Sequence, residues 1–192
     1  MKFLIICLST IIYSTIAQQV LNKYPNTVPM ANVSISKFIG KWYQIHRIPN
    51  QYDRKSKCST FNFTLYNDGD GVLLNLETAA LNDLTGMKDK WTAYGTLQNN
   101  SPSQLDLEFP PLATQRKTTL KILDTDYENF HVISMTQVEK DNRVLHNVWV
   151  CSRKPTLEQP FTARAVAACQ RNNIDINLFK TVDQKCYLSK TK

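Results

Sequence analysis

Residues 38–45 read Phe38-Ile39-Gly40-Lys41-Trp42-Tyr43-Gln44-Ile45. Alone, a glycine two positions before a tryptophan describes a tight bend leading into a strand with a core Trp. The segments downstream give it a context. Short runs rich in β-branched and aromatic residues predict strands near 40–48, 58–66, 71–79, 89–98, 104–109, 117–124, 129–138 and 143–152. Turn-forming residues separate them, among them Pro49-Asn50, Asn67-Asp68-Gly69-Asp70-Gly71, Asn82-Asp83, Pro110-Pro111 and Asp141-Asn142. Eight strands at regular spacing predict an antiparallel sandwich or barrel.

Several strands alternate. Phe61 and Phe63 face away from Thr60, Asn62 and Thr64; Val72, Leu74 and Leu76 oppose Asn75 and Glu77; Leu105 and Leu107 oppose Asp106 and Glu108. A strand buried on one face requires this pattern. Trp91 and Tyr94 fall on opposite faces of one strand, so only one of them points inward. A single segment predicts a helix, 159–171, with Pro160 tolerated in its first turn. Phe161, Ala165, Ala168 and Cys169 form its apolar stripe, which must dock on the outside of the sheet. The stripe carries Cys169 toward the sheet, and Cys151 ends the preceding strand. A Cys151–Cys169 bridge is therefore geometrically sensible, leaving Cys58–Cys186 to tie down the tail.

The 192 residues suit one domain. Met1-Lys2, the apolar run Phe3–Ile16 and the small-residue end Thr15-Ile16-Ala17 read as a signal peptide over 1–17. That run is shorter than the about 20 residues a membrane span needs, so stable membrane insertion is not expected. Residues 18–35 read as a loose N-terminal segment containing Pro25 and Pro29, and 36–192 as the folded domain. The expected compartment is extracellular, where an even cysteine count implies disulfides, with three pairings open from the count alone. Sequons at Asn32, Asn62 and Asn99 fit glycosylation of a secreted chain. The net charge of +7 does not imply nucleic acid, because the basic residues are dispersed among acids and no long like-charge run occurs. The densest cluster, Arg54-Lys55-Ser56-Lys57, suits a solvated loop or one that attracts small anions. No C-x-x-C, H-E-x-x-H, P-loop or nucleophile elbow is present, so neither a metal centre nor an enzyme is expected. His131 and His146 read as ordinary hydrogen-bonded strand histidines rather than metal or haem ligands.

Two further motifs complete a pattern. Asp124-Thr125-Asp126-Tyr127 fixes a turn between strands through side-chain bonds to backbone N–H groups. Arg153 follows the last strand, where a guanidinium can stack on a ring such as Trp42. Gly40-x-Trp42, Thr125-Asp126-Tyr127 and Arg153, in this order and spacing, resemble the three motifs of the lipocalin family. Residues 124–130 and the tail Asn172-Asn173-Ile174-Asp175, Thr181-Val182-Asp183-Gln184 and Cys186 are similar to the subgroup of apolipoprotein D and the insect bilin-binding lipocalins. The resemblance covers about residues 36–188.

It implies an all-β, eight-stranded up-and-down barrel with one C-terminal helix packed outside, plugged at one end by Trp42, Arg153 and the 124–127 turn. It implies a secreted carrier of a small hydrophobic ligand of bilin, fatty acid, retinoid or steroid type, requiring no cofactor. The lining is expected from Gln44, His46, Phe61, Phe63, Val72, Leu74, Leu76, Trp91, Leu105 and Leu107, with Arg54, Lys55 and Lys57 holding a ligand carboxylate or carbonyl at the mouth. Cys58 and Cys186 match the family's tail bridge; Cys151 and Cys169 do not match its other one. An isomerase of this family would need a free thiol in the cup. The alternative is a lipocalin acting through its outer surface as a protease inhibitor or scavenger, with a protein partner or cell-surface receptor.

Overall fold

Every segment that alternates apolar and polar residues forms a strand. The computed structural model describes residues 19–21, 23–50, 53, 55–67, 72–98, 101–109 and 118–188. A short strand β1 (Gln19–Leu21) and one helical turn α1 (Ile35–Phe38) precede eight longer strands. These are β2 (Gly40–Arg47), β3 (Ser56–Asn67), β4 (Val72–Asn82), β5 (Lys88–Gln98), β6 (Ser101–Glu108), β7 (Thr118–Thr125), β8 (Phe130–Val138) and β9 (Val144–Ser152). Helix α2 (Gln159–Arg171), a 3-10 turn, strand β10 (Lys180–Thr181) and a final turn α3 (Lys185–Leu188) follow. Consecutive strands from β2 to β9 pair antiparallel, and β9 returns to β2 through Tyr43↔Ser152 and Gln44↔Cys151. The eight-stranded barrel is closed, which removes the sheet edges. The predicted signal peptide over 1–17 lies outside the described residues.

Within 18–35, expected as a loose segment, the described residues make specific contacts with the barrel. β1 pairs with β9 through Gln19↔His146, Met30 donates to the Ile122 carbonyl at 2.8 Å, and Lys121 Nζ donates to the Thr27 carbonyl at 2.9 Å. Pro25 and Pro29 suit an extended stretch laid over the outer face of the barrel. β8 and β9 are covered on the other side as well, so nearly every residue in them is buried and their sequences do not alternate.

Apolar residues form two clusters on opposite sides of the barrel wall. Inside lie Trp42, Phe61, Leu74, Leu105, Ile133 and Trp149. Outside, Ala165, Ala168 and Cys169 of α2 pack on Leu123, Phe130, Val132, Val148 and Val150. Arg164 and Arg171 fasten the helix to Asp124 of β7 at 2.7 and 3.0 Å. Cys58 and Cys186 are bonded, joining β3 to α3. The expected Cys151–Cys169 bridge is absent: both are free, buried thiols. Cys151 belongs to the interior cluster and Cys169 to the exterior one, so the wall stands between them. The helix stripe placed Cys169 against the sheet correctly; the error was the face of the strand from which Cys151 projects.

The floor is built around Arg153. Its guanidinium lies 3.5 Å from the Trp42 ring centroid and donates to the carbonyls of Lys37, Phe38, Ile39, Lys41 and Tyr127 at 2.9–3.3 Å. Trp42 Nε1 donates to the Phe38 carbonyl at 2.9 Å. Gly40 has φ +101°, and a Cβ there would sit 3.0 Å from Arg153 Nη1, so both conformation and space demand glycine. In the adjoining turn, Asp126 Oδ1 accepts from the N–H groups of Glu128, Asn129 and Phe130, and Thr125 Oγ1 donates to the Phe130 carbonyl. Burial pushes the Asp126 carboxyl up, but those donors outweigh it and hold it below its ordinary value.

Arg153→Ala deletes a cation–π contact and several charge-assisted bonds, so it should cost about 2–4 kcal/mol in chemical denaturation. A melt equal to that of the unsubstituted protein would contradict this account of the floor. Thiol titration in denaturant should count two free cysteines in the chain lacking residues 1–17, and near zero in the native state. A count of zero in denaturant would restore the Cys151–Cys169 bridge.

Candidate functional site

The barrel interior is the candidate site, and strand register decides what lines it. Phe61↔Thr78, Phe63↔Leu76, Leu74↔Gly95 and Thr78↔Trp91 are cross-strand pairs, as are Leu105↔Leu120 and Leu107↔Thr118. The structure thus gathers Phe61, Phe63, Leu74, Leu76, Leu105 and Leu107 in the interior cluster, with Trp91 half-buried against it and 5.6 Å from Phe109. Tyr94 is the partner that points outward. Val72 begins β4, and its side chain lies outside the described residues.

Strand β2 departs from simple alternation. Gln44 pairs with Cys151 but His46 pairs with Val150, so Ile45 is an extra residue in a bulge. A bulge moves every later side chain to the other face. Gln44 lies inside and is fully buried. His46 does not line the cup: it faces outward, with Nδ1 3.3 Å from Thr181 Oγ1 on β10. Its inward place goes to Arg47, which is 8 % exposed. Arg47 Nη1 donates to Gln44 Oε1 and Ser59 Oγ, and Nη2 donates to the carbonyls of Asp53 and Ser56. Asp53, from the β2–β3 connection, accepts on Oδ2 from Asn50 Nδ2 at 2.7 Å and Trp149 Nε1 at 3.2 Å. A buried ionic cluster therefore joins this connection to the upper wall.

The basic loop is less available than expected. Lys57 is paired with Asp83 at 2.9 Å, which raises its pKa. Lys55 is exposed, and Arg54 lies outside the described residues. Nearer the floor, His131 of β8 faces inward, stacked on Trp42 and Phe38 with centroids 4.4 and 4.9 Å away. Burial, aided by nearby Arg153, drives its pKa well below 6.5 and keeps it neutral. Among the described residues, both His131 ring nitrogens, Gln44 Nε2 and Thr78 Oγ1 have no hydrogen-bond partner. His146 faces outward on β9, its Nε2 2.8 Å from Ser134 Oγ; burial, then Lys121, pushes it down to about 4. Cys151 is free inside the cup, but burial and then Asp53 raise its pKa well above the ordinary thiol value, the reverse of an activated nucleophile. Among the described residues no group of three or more His, Cys, Asp or Glu is placed to hold a metal.

A lipocalin-like domain family matches residues 33–184, nearly the whole barrel and its helix. The chain belongs to the lipocalin family. This is a family of carriers of small hydrophobic ligands. Mouse (Mus musculus) apolipoprotein D is 28% identical over 166 residues, covering 85% of this chain and 84% of that protein. Escherichia coli outer membrane lipoprotein Blc is 22% identical over 157 residues, covering 80% of each. Among solved structures, insecticyanin from the tobacco hornworm Manduca sexta superposes with a TM-score of 0.71 at 16% identity, over 87% of this chain and 89% of that one. Lobster apocrustacyanin A1 does so with a TM-score of 0.63 at 19% identity, over 84% and 93%. At these identities the two structures speak for the fold.

Of the sequons, Asn32 is exposed, Asn62 is half-buried on the outer face of β3, and Asn99 lies outside the described residues. Sequence reasoning missed Arg47, Asp53 and Thr78. The bulge puts Trp42 in the interior cluster and Ile48, of the same parity, in the exterior one.

Both buried histidines are held neutral, with folded pKa values below 6.5. The stability they contribute is complete above pH 6.5 and is lost as pH falls toward 4, because only the unfolded chain takes up those protons. Each can cost up to about 1.4 kcal/mol per pH unit. Urea denaturation should show lower stability at pH 5 than at pH 7.5, with a shallower dependence for His146→Gln. A flat profile for the unsubstituted protein between those values would contradict neutral burial. Asp126 acts separately, losing its contribution only below its ordinary 3.8.

Proposed function

We propose that this chain is a secreted carrier that encloses one small apolar molecule, of bilin or lipid type, within the barrel. The observation that carries this reading is the interior itself: a closed wall of aromatic and branched side chains in which Gln44, Thr78 and His131 keep polar atoms unpaired. Buried polar atoms without partners are costly in a permanently filled core, and a ligand group satisfies them. An eight-stranded barrel is wide enough either to fill with side chains or to hold one small ligand. Binding is driven by desolvation: burying about 300 Å² of apolar ligand surface yields on the order of 7 kcal/mol before ordering costs.

The roles follow from position. Phe61, Phe63, Leu74, Leu76, Leu105 and Leu107 supply the apolar surface, Trp91 flanks it, and the Arg47–Asp53 cluster fixes the β2–β3 connection. The protonated Cys151 supports binding rather than isomerisation. Residues 1–17 act as the export signal, and no helix among the described residues is long and apolar enough to cross a membrane.

Displacement of a fluorescent fatty acid tests the reading: the purified protein should take up the probe with saturable, about 1:1 stoichiometry and release it to a competing lipid or to biliverdin. A protein that takes up none has a filled cup, and the outer-surface reading replaces this one. Expressed through a secretory pathway, the chain should begin at Gln18; retention of residues 1–17 would contradict export by cleavage there.

A further inference from the structure

The interior is not apolar all round. Leu74 and Leu76 of β4, Ala93 of β5, Leu105 and Leu107 of β6 and Leu120 of β7 form one wall. Beyond Thr78 of β4, the unpaired polar side chains inside the barrel stand on β2 and β8. Gln44 on β2 pairs with Cys151 on β9, which pairs with His131 on β8, so the three share one row across adjacent strands. That row lies one inward step above the Trp42 floor on β2.

The charge state of this wall limits what it can receive. Each terminal nitrogen of Arg47 already donates to two acceptors, so the guanidinium offers no vacant fork to a carboxylate. Its charge faces Asp53, which raises the Arg47 pKa against the larger lowering effect of burial. Because a guanidinium can only donate, Gln44 Oε1 is committed to Arg47, and Gln44 Nε2 is left buried without a partner. A neutral imidazole beside that row offers one donor and one acceptor, both unused.

We infer that the cup selects an uncharged ligand bearing a carbonyl or hydroxyl group, inserted polar end first onto the Gln44–His131 row with its apolar body against the β4–β7 wall. This rests on the carrier reading and narrows it. An ionised carboxylate taken to the same depth would lose its hydration and gain no hydrogen bond from a guanidinium: Arg47 is fully engaged, and Arg153 lies beyond the Trp42 ring with its donors on backbone carbonyls.

The test compares ligands with one polyene body and different heads: retinol, retinal and retinoic acid, titrated at pH 7.5 through quenching of the interior tryptophans. Retinol and retinal should bind at least about tenfold more tightly than retinoic acid. Gln44→Leu should reduce that preference several-fold in a protein whose circular dichroism remains that of the folded barrel, with a lowered melt because Arg47 loses an acceptor; His131→Phe, which preserves the ring stack, provides a second substitution should the first fail to fold. Equal or tighter binding of retinoic acid, or an unchanged preference in both variants, overturns the inference and leaves the carrier reading standing. Failure of all three retinoids together with the fluorescent fatty acid overturns both.

Discussion

The Arg153 guanidinium, held flat on the Trp42 ring, is the contact on which the rest of the architecture depends. It lies where the first and last strands of the barrel meet, and its five carbonyl acceptors come from α1, the start of β2 and the 126–129 turn. One side chain therefore ties the helical turn that covers the floor to the strands it covers. Removing it would leave carbonyls unpaired and unseat the Trp that forms the bottom of the cup. Gly40 is the local cost of that close approach: its backbone must take a conformation that L side chains rarely adopt, and a Cβ would meet the guanidinium.

From this floor the interior divides by strand. The buried polar side chains fall into two sets. Arg47, Asp53 and Trp149 bond to each other or to backbone and hold the β2–β3 connection against the wall. Gln44, Thr78 and His131 do not complete their bonding within the protein. On the carrier reading proposed above, the division separates stability from recognition: the saturated ionic cluster fastens the β2–β3 connection, and the unsaturated groups set what the barrel accepts. The free Cys151 lies among them as a neutral thiol, a small apolar filler rather than a reactive centre.

Much of this was legible in the residues. The runs of β-branched and aromatic residues between turn signals gave the number of strands, alternation in β3, β4 and β6 gave their inward faces, and the helix over 159–171 follows from its stripe and its early proline. The motifs at Gly40-x-Trp42, 125–127 and Arg153 carried the barrel reading, where periodicity alone left sandwich and barrel open. What escaped has physical causes. The bulge at Ile45 inserts one residue and exchanges His46 for Arg47, a change that strict alternation hides. The cysteine pairing failed because the stripe of α2 reveals which side of the helix meets the sheet, not which face of β9 bears Cys151. β1, α1 and β10 are too short to leave a period, and they exist because the completed barrel offers them backbone partners.

The central claim is that the barrel holds one small apolar molecule. Native mass spectrometry of the protein as purified tests it most directly. The account predicts a species heavier than the polypeptide and any attached glycans by one small molecule, lost on denaturation and restored by adding an uncharged lipid. A single mass equal to the polypeptide with any attached glycans, unchanged by added lipid or bilin, would contradict it.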